Sequence, residues 1–115
     1  MNPHTHFSTL VHYNVWATQR LLQAIEPVVE ADYRRNLGLF FKSIHGTLNH
    51  LLVGEHLLWY PRFARGASPK AGSALTHVFN HGTHHRGQIS AALTPLGQPA
   101  PELDLANFFQ QKALS

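Results

Sequence analysis

The fold of this chain is decided by residues 80–88, which read Asn80-His81-Gly82-Thr83-His84-His85-Arg86-Gly87-Gln88. His81 and His85 are four residues apart, and on an α-helix this spacing brings two side chains together on one face. Two neutral imidazoles in that arrangement can bind the same divalent ion, as they do in the zincin helix motif. The stretch therefore predicts a helix that supplies two ligands of a metal site.

A third ligand has to come from another part of the chain. The zincin motif places a glutamate between its histidines, and this stretch has none there. His50, in the apolar segment Leu48-Asn49-His50-Leu51-Leu52, is the natural candidate. Three protein ligands leave one position on the ion open, as in catalytic rather than structural zinc sites. Imidazole ligands suit a borderline divalent ion, zinc first, with nickel and iron as alternatives.

Spacing alone leaves other ligand sets open. His77 precedes His81 by four residues and His84 follows it by three, so either could replace a ligand. A glycine costs a helix about 1 kcal/mol relative to alanine. The glycines that flank both segments favour the set His50, His81 and His85, because they leave room for a ligand or a second helix: Gly46, Gly54, Gly82 and Gly87. The competing interpretation is that these histidines only hydrogen-bond to one another in a polar seam between helices.

The other five histidines are predicted not to bind the metal. Three of them lie on or before the first helix and are expected at the surface, and two flank the second helix: His4, His6, His12, His45 and His56.

Apolar residues recur at spacings of three and four along most of the chain, a pattern typical of amphipathic helices. In the first such segment Thr5 or Ser8 is the predicted cap and Pro27 is the stop. A connector follows over residues 28–38 and holds a cluster of charges. No strand-like alternation occurs, so the sequence predicts an all-α chain with three long helices.

The second helix is predicted to run from near Leu39 to about Arg62, and a loop over residues 67–72 follows it. Ser73 is the predicted cap of the third helix, which fades at Pro95-Leu96-Gly97. Residues 98–101 contain two prolines and are predicted to be extended, because proline forces the preceding residue out of the helical region. A short final segment is expected to lie over the core through its apolar side chains: Leu103, Leu105, Phe108 and Phe109.

Composition limits the classes of protein to which the chain can belong. Its 115 residues are expected to form one domain, and a hydrophobic content of 43% indicates a folded chain. Charged residues make up only 13%, about half the usual share, which favours a buried subunit contact. The net charge of +3 comes from nine basic residues spread along the chain, whose longest run is Arg34-Arg35. This distribution argues against a nucleic-acid surface.

Because the chain has no cysteine, disulfides, thiolate nucleophiles and Cys-ligated zinc are excluded. The first residues show no basic stretch followed by an apolar one, so no secretory signal is predicted. The apolar run over residues 51–60 is interrupted by Gly54, Glu55 and His56 and does not predict a membrane span. A cytoplasmic location is therefore expected, with no membrane or nucleic-acid partner.

Four stretches of the chain resemble the DinB-like (DinB/YfiT) family. Tyr13-Asn14-Val15-Trp16-Ala17 is similar to its opening helix, and Ser43-Ile44-His45-Gly46-Thr47-Leu48-Asn49-His50 is similar to its second helix. Residues 80–88 resemble its most characteristic signature, and Pro101-Glu102-Leu103-Asp104-Leu105 resembles its C-terminal segment. These stretches span nearly the whole chain, and the histidine-rich signature is the most specific of them.

The resemblance implies a four-helix bundle with a metal held by one histidine of the second helix and an i,i+4 pair of the last. Those positions are His50, His81 and His85 in this chain. Relatives in the wider superfamily transfer low-molecular-weight thiols or isomerise substrates with a thiol cofactor. A zinc- or nickel-dependent transferase or hydrolase acting on a small molecule is therefore expected. The alternative is a non-catalytic helical module for metal binding or dimerisation.

One helix of the family pattern has no counterpart in this chain. Only residues 65–72 remain where the third bundle helix is expected, so the resemblance implies a bundle reduced to three long helices and a short C-terminal segment. Such a bundle leaves an apolar groove larger than the exposed patches of typical monomers. We therefore expect a homodimer with an apolar interface above about 2,000 Å². Exchange of the third helix between the two chains is a possible variant of that dimer.

Overall fold

The structure is a computed structural model that describes residues 2–55 and 71–114. Over these ranges the chain forms helices and no strand, which confirms the predicted all-α class. The five α-helices are α1 (Pro3–Ile25), α2 (Glu30–Arg34), α3 (Ile44–Val53), α4 (Ala71–Leu93) and α5 (Leu105–Leu114). None of these described helices is long and apolar enough to span a membrane.

Helix α1 begins before its predicted caps. The side chain of Asn2 accepts a hydrogen bond of 2.8 Å from the backbone N–H of Thr5, so Asn2 is the N-cap. Asparagine satisfies one of the free N–H groups of the first turn as well as serine or threonine does. The prediction that Thr5 or Ser8 caps this helix is therefore wrong. Its end at Ile25, two residues before Pro27, agrees with the predicted stop.

The predicted connector over residues 28–38 contains the one-turn helix α2. Arg34 forms an ion pair with Glu30 one turn earlier, and Arg35 forms one with Asp32. Oppositely charged side chains three or four residues apart lie on one face of a helical turn, which explains the cluster of charges in the sequence.

Helix α3 begins at Ile44, and the predicted start near Leu39 is wrong. Residues 39–42 form a turn in which the N–H of Lys42 donates to the carbonyl of Leu39 at 2.8 Å. Ser43 then caps the helix, because its hydroxyl accepts a hydrogen bond of 2.9 Å from the N–H of Gly46. The predicted end near Arg62 lies outside the described residues.

Helix α4 begins at Ala71, so Ser73 is not its cap, and the last two residues of the predicted loop 67–72 are helical. It continues into a 3-10 turn, Thr94–Leu96, and stops at Gly97, whose φ of +76° suits glycine. This end agrees with the predicted one. Residues 98–104 are not helical, which agrees with the effect expected of the prolines. We call residues 98–104 the strap.

Helix α4 packs against both α1 and α3 and joins them into one core. Buried side chains from all three helices meet there, and they are Leu21, Ile25, Ile44, Leu48, Ile89, Ala92 and Leu93. A second cluster forms where α5 lies on α1 and buries Phe108 against Tyr13 and Ala17. The hydroxyl of Tyr13 donates a hydrogen bond to the carbonyl of Leu103 in the strap. The final segment therefore lies over the core, as predicted, through Leu103 and Phe108. The prediction is wrong for Leu105 and Phe109, which are 37% and 47% exposed.

The contribution of α5 can be measured by removing one of two adjacent rings. Phe108 is 3% exposed and makes an edge contact of 5.8 Å with Tyr13. Phe108→Ala is expected to lower the free energy of unfolding by about 3 kcal/mol through lost burial and an unfilled cavity. Phe109, which is 47% exposed, provides the matched control, and Phe109→Ala should cost less than about 1 kcal/mol. Urea unfolding measures both, and equal losses would show that α5 does not dock as described.

Candidate metal centre

Three histidines from two helices meet at one point. The Nε2 atom of His81 lies 3.1 Å from Nε2 of His50 and 3.1 Å from Nε2 of His85. One potential ligand atom from each residue lies within 4.8 Å of the other two. The structure thus brings together the three residues that the sequence selected, and over the described residues no other such group of histidines and carboxylates occurs.

The positions of these side chains follow from the packing of α3 on α4. His50 lies in the last turn of α3, and His81 and His85 occupy successive turns of α4, so each helix presents imidazoles to the other. His85 is buried, whereas His50 and His81 are half-buried. The cluster therefore lies at the edge of the core.

Gln88 determines which nitrogen of the His85 ring carries the proton. Its Oε1 lies 2.8 Å from Nδ1 of His85, and an amide oxygen can only accept, so Nδ1 carries the proton. In the neutral ring Nε2 then has a lone pair, and this lone pair faces the other two histidines. Gln88 thus prepares His85 as a ligand through Nε2, since metal-binding histidines are commonly oriented by a hydrogen-bond acceptor on their other ring nitrogen.

Hydrogen bonds among the rings cannot satisfy the cluster. With the Nε2 of His85 unprotonated, a hydrogen bond to it needs a proton on Nε2 of His81. That single N–H cannot also point at His50, which lies at the same distance of 3.1 Å. Two imidazole ligands of a tetrahedral zinc ion, with Zn–N distances of ~2.0–2.1 Å, lie about 3.3 Å apart. The two separations of 3.1 Å are close to this value, and the third pair of ligand atoms lies within 4.8 Å, whereas a polar seam leaves one of the two 3.1 Å contacts without a hydrogen bond.

Burial keeps the rings in the neutral form that a ligand needs. Burial lowers the pKa of His81 to about 4, and the neighbouring rings of His85, His50, His77 and His84 add to the decrease. Burial also lowers the pKa of His85, partly opposed by its hydrogen bond to Gln88. Because metal binding requires unprotonated imidazole, these shifts prepare both side chains for a cation at neutral pH.

An aromatic ring that the sequence analysis missed covers one side of the cluster. Phe41 stacks on His50 with ring centroids 4.0 Å apart and an angle of 20°, and it contacts His85 at 5.8 Å. Gly46 makes this approach possible, because a Cβ atom there would lie 2.3 Å from the carbonyl oxygen of Phe41. The space that this glycine leaves is therefore filled by the turn at residues 39–42.

A buried cluster of polar side chains lies next to Gly82. Gly82 leaves space for three side chains, because a Cβ atom there would lie 2.9 Å from Arg86, 3.1 Å from Asn14 and 3.2 Å from Glu55. Arg86 donates to the side chain of Asn14, whose Nδ2 in turn lies 3.5 Å from Oε1 of Glu55. Sequence periodicity could not place Asn14 here, because it belongs to a different helix.

The two alternative ligands lie at the border of the site. The rings of His77 and His81 are 5.6 Å apart, those of His84 and His85 4.9 Å apart, and both alternatives are exposed. With His81 they line an open depression of about 460 Å³. Their ring nitrogens do not join the ligand group.

The predictions for the remaining histidines are confirmed only in part. His6 and His12 are exposed, as predicted for surface residues, and His45 packs edge-on against Tyr33 at 5.2 Å. The predictions for His4 and His56 lie outside the described side chains.

Comparison with known proteins gives a family. The sequence model of the DinB family matches the chain in two parts, residues 1–71 and residues 56–113. The two parts overlap over residues 56–71, next to the place where the sequence analysis expects the missing helix, which is consistent with a shortened member. No curated protein and no solved structure matches the chain.

The shifted pKa of His81 predicts how the stability of the metal-free chain depends on pH. Between its usual value of 6.5 and its folded value of about 4, the unfolded chain binds the proton and the folded chain does not. The free energy of unfolding should therefore be highest above pH 6.5 and decrease as the pH falls towards 4. His81→Gln cannot titrate, so its decrease should be shallower. Urea unfolding in the presence of a chelator measures both curves, and parallel curves would contradict the prediction.

Proposed function

Since the chain belongs to the DinB family, we propose that it binds one divalent ion, zinc or nickel, through His50, His81 and His85. The observation that carries this proposal is the position of Nε2 of His81, 3.1 Å from Nε2 of both His50 and His85, because hydrogen bonds alone cannot satisfy both contacts. A set of three imidazoles suits borderline ions such as zinc and nickel. Calcium and magnesium prefer oxygen ligands, which this set does not provide.

We propose that the ion serves catalysis, because three protein ligands leave one coordination position for water or substrate. When bound, such an ion lowers the pKa of a water molecule or thiol in that position and so supplies a nucleophile at neutral pH. Two neighbouring residues fix the state and surroundings of the ligands. Gln88 fixes the tautomer of His85, and Phe41 covers one face of His50 and keeps water from that side.

The reaction class that fits best is a metal-dependent transfer or hydrolysis on a small molecule, with thiol transfer as the form that the family resemblance implies. Over the described residues no carboxylate belongs to the ligand group. Glu55 is buried, and Asn14 lies 3.5 Å from it. We therefore propose that the bound ion, rather than a glutamate, would activate the nucleophile.

The ligand assignment predicts which histidines the metal needs. His50→Ala or His85→Ala should abolish stoichiometric binding of zinc or nickel, whereas His84→Ala should leave it intact. Saturation of the native chain at about a hundred times Kd should add about 2.7 kcal/mol to its stability, because the ion binds only the folded state. Titration calorimetry and thermal unfolding measure the two effects. If His84→Ala is the change that empties the site, the assignment on α4 is wrong.

Activity separates an enzyme from a structural metal module. The zinc- and nickel-loaded chains are incubated with a low-molecular-weight thiol and a small electrophile, and separately with an activated ester. Turnover by the native chain that is lost in His85→Ala supports the enzyme. Tight metal binding with no turnover of either probe favours the non-catalytic alternative, in which the ion only joins α3 to α4.

We further propose that the chain forms a homodimer. Apolar side chains that lie on one face of α1 remain exposed, namely Val11 at 45%, Val15 at 50% and Leu22 at 43%. A stripe at spacings of four and seven residues suits packing against another helix, and a two-fold axis would place the same stripe of a second copy against it. Such a contact would cover a surface that is unusually apolar for a chain with so few charges.

The dimer is tested by charging the stripe. The native chain at micromolar concentration should scatter light as a dimer, and Val15→Lys should convert it to a monomer, because a buried lysine without a partner destabilises an apolar interface. Gln23→Lys adds the same charge to an exposed position elsewhere on α1 and should leave the dimer unchanged. A native chain that is a stable, folded monomer would contradict the proposal.

A further inference from the structure

Arg86 attaches helix α4 to helix α1 beside the candidate metal centre. It directly follows His85, and its side chain is 1% exposed. Its Nη1 atom donates a hydrogen bond to Oδ1 of Asn14 and lies 3.5 Å from the hydroxyl of Thr18. Its guanidinium carbon lies 5.5 Å from the centre of the Tyr13 ring. All three neighbours belong to α1, so α1 limits the rotation of α4 about its own axis at the residue next to a candidate ligand.

Asn14 extends this contact to the end of helix α3. Because a guanidinium can only donate hydrogen bonds, the amide oxygen of Asn14 faces Arg86. The amide nitrogen of Asn14 lies 3.5 Å from Oε1 of Glu55, a side chain that follows α3 and is 4% exposed. Asn14 is also 4% exposed, and contacts with charged groups are stronger where little water is present. One buried amide thus links a cation of α4 to an anion at the end of α3.

Gly82 provides the space in which the three side chains meet. A Cβ atom at this position would lie within about 3 Å of an atom of Arg86, Asn14 and Glu55 alike. Gly82 directly follows His81, so the polar group adjoins the turn of α4 that carries two candidate ligands. Alanine would stabilise the helix here, and the contact among the three side chains therefore accounts for the glycine.

We propose that Asn14, Arg86 and Glu55 are positioning residues for the metal site. They fix the end of α3 relative to α4 through α1, and so they keep the three clustered histidines together before an ion binds. This inference rests on the proposed metal binding, because it concerns the placement of the ligands. A preorganised site has less freedom to lose when the ion binds, and changes to residues that support the ligands typically weaken metal affinity by roughly 10–100-fold.

An exchange of the amide and the carboxylate tests the link to α3. Asn14→Asp keeps the oxygen that faces Arg86 but places a second carboxylate against Glu55, and the two like charges repel each other. This variant should bind zinc about tenfold more weakly. Adding Glu55→Gln restores the contact of an amide with a carboxylate and leaves the net charge of the three groups at its native value. The double variant should therefore return the Kd for zinc to within about threefold of the native value.

Two alanine substitutions in α4 provide a matched pair. Gly82→Ala places a methyl group against all three positioning residues, whereas a Cβ atom at Gly87 would meet nothing within 4 Å. Both variants replace a helical glycine by the best helix former. Gly82→Ala should raise the Kd for zinc about tenfold, and Gly87→Ala should leave it unchanged. Phe108→Ala, which destabilises the chain at α5, should also leave the Kd of the folded chain unchanged.

Competition with a zinc indicator at neutral pH measures each Kd, and circular dichroism shows which variants are folded. Cobalt(II), whose visible absorption depends on coordination geometry, should show shifted bands in Asn14→Asp and Gly82→Ala and native bands in both controls. If Asn14→Asp does not fold, the glycine pair decides. Equal Kd values and equal bands in Gly82→Ala and Gly87→Ala would overturn the inference, as would a folded double variant that binds zinc no better than Asn14→Asp. A native chain that binds no zinc would contradict the proposed function as well, whereas zinc bound equally by all variants contradicts the inference alone.

Discussion

The packing of α3 on α4 is the constraint on which the candidate site depends, because it holds Nε2 of His81 at 3.1 Å from Nε2 of both His50 and His85. At this distance no two of the rings can be charged together, and burial already lowers the pKa of His81 to about 4. The cluster therefore contributes little attraction between α3 and α4 without an ion. The apolar contacts of Ile44 and Leu48 with Ile89 hold the helices together. A bound cation would attract the lone pairs of all three imidazoles, and the cluster would then join α3 to α4.

Helix α4 serves three purposes with three sets of residues. His81 and His85 face α3, Arg86 reaches Asn14 of α1 from the next row of the helix, and Ile89 continues into the core. Consecutive residues of a helix are rotated by about 100° from one another. One rigid helix can therefore hold the two histidines on one side and Arg86 on another in a fixed relation. A rotation of α4 that improved one set would displace the others, which ties the geometry of the histidines to the packing of α1.

The sequence predicts the parts of the site that depend on local geometry. The pair His81 and His85 follows from helix periodicity alone, and His50 followed from its apolar segment and the family resemblance. Phe41 could not be predicted as a neighbour of His50, because their contact depends on how the turn at residues 39–42 packs on α3. The predicted start of α3 failed there too, since the apolar pattern continues through a turn that precedes the Ser43 cap.

The glycines show how equal sequence signals acquire different meanings in the fold. Each costs a helix about the same stability relative to alanine. At Gly46 and Gly82 a Cβ atom would lie within 3 Å of other atoms, so the missing methyl group allows close packing of a turn and of a buried polar network. At Gly54 and Gly87 it would meet nothing within 4 Å, so packing does not account for the cost. For Gly87 the remaining physical reason is open volume, since it lines the cavity beside Arg86.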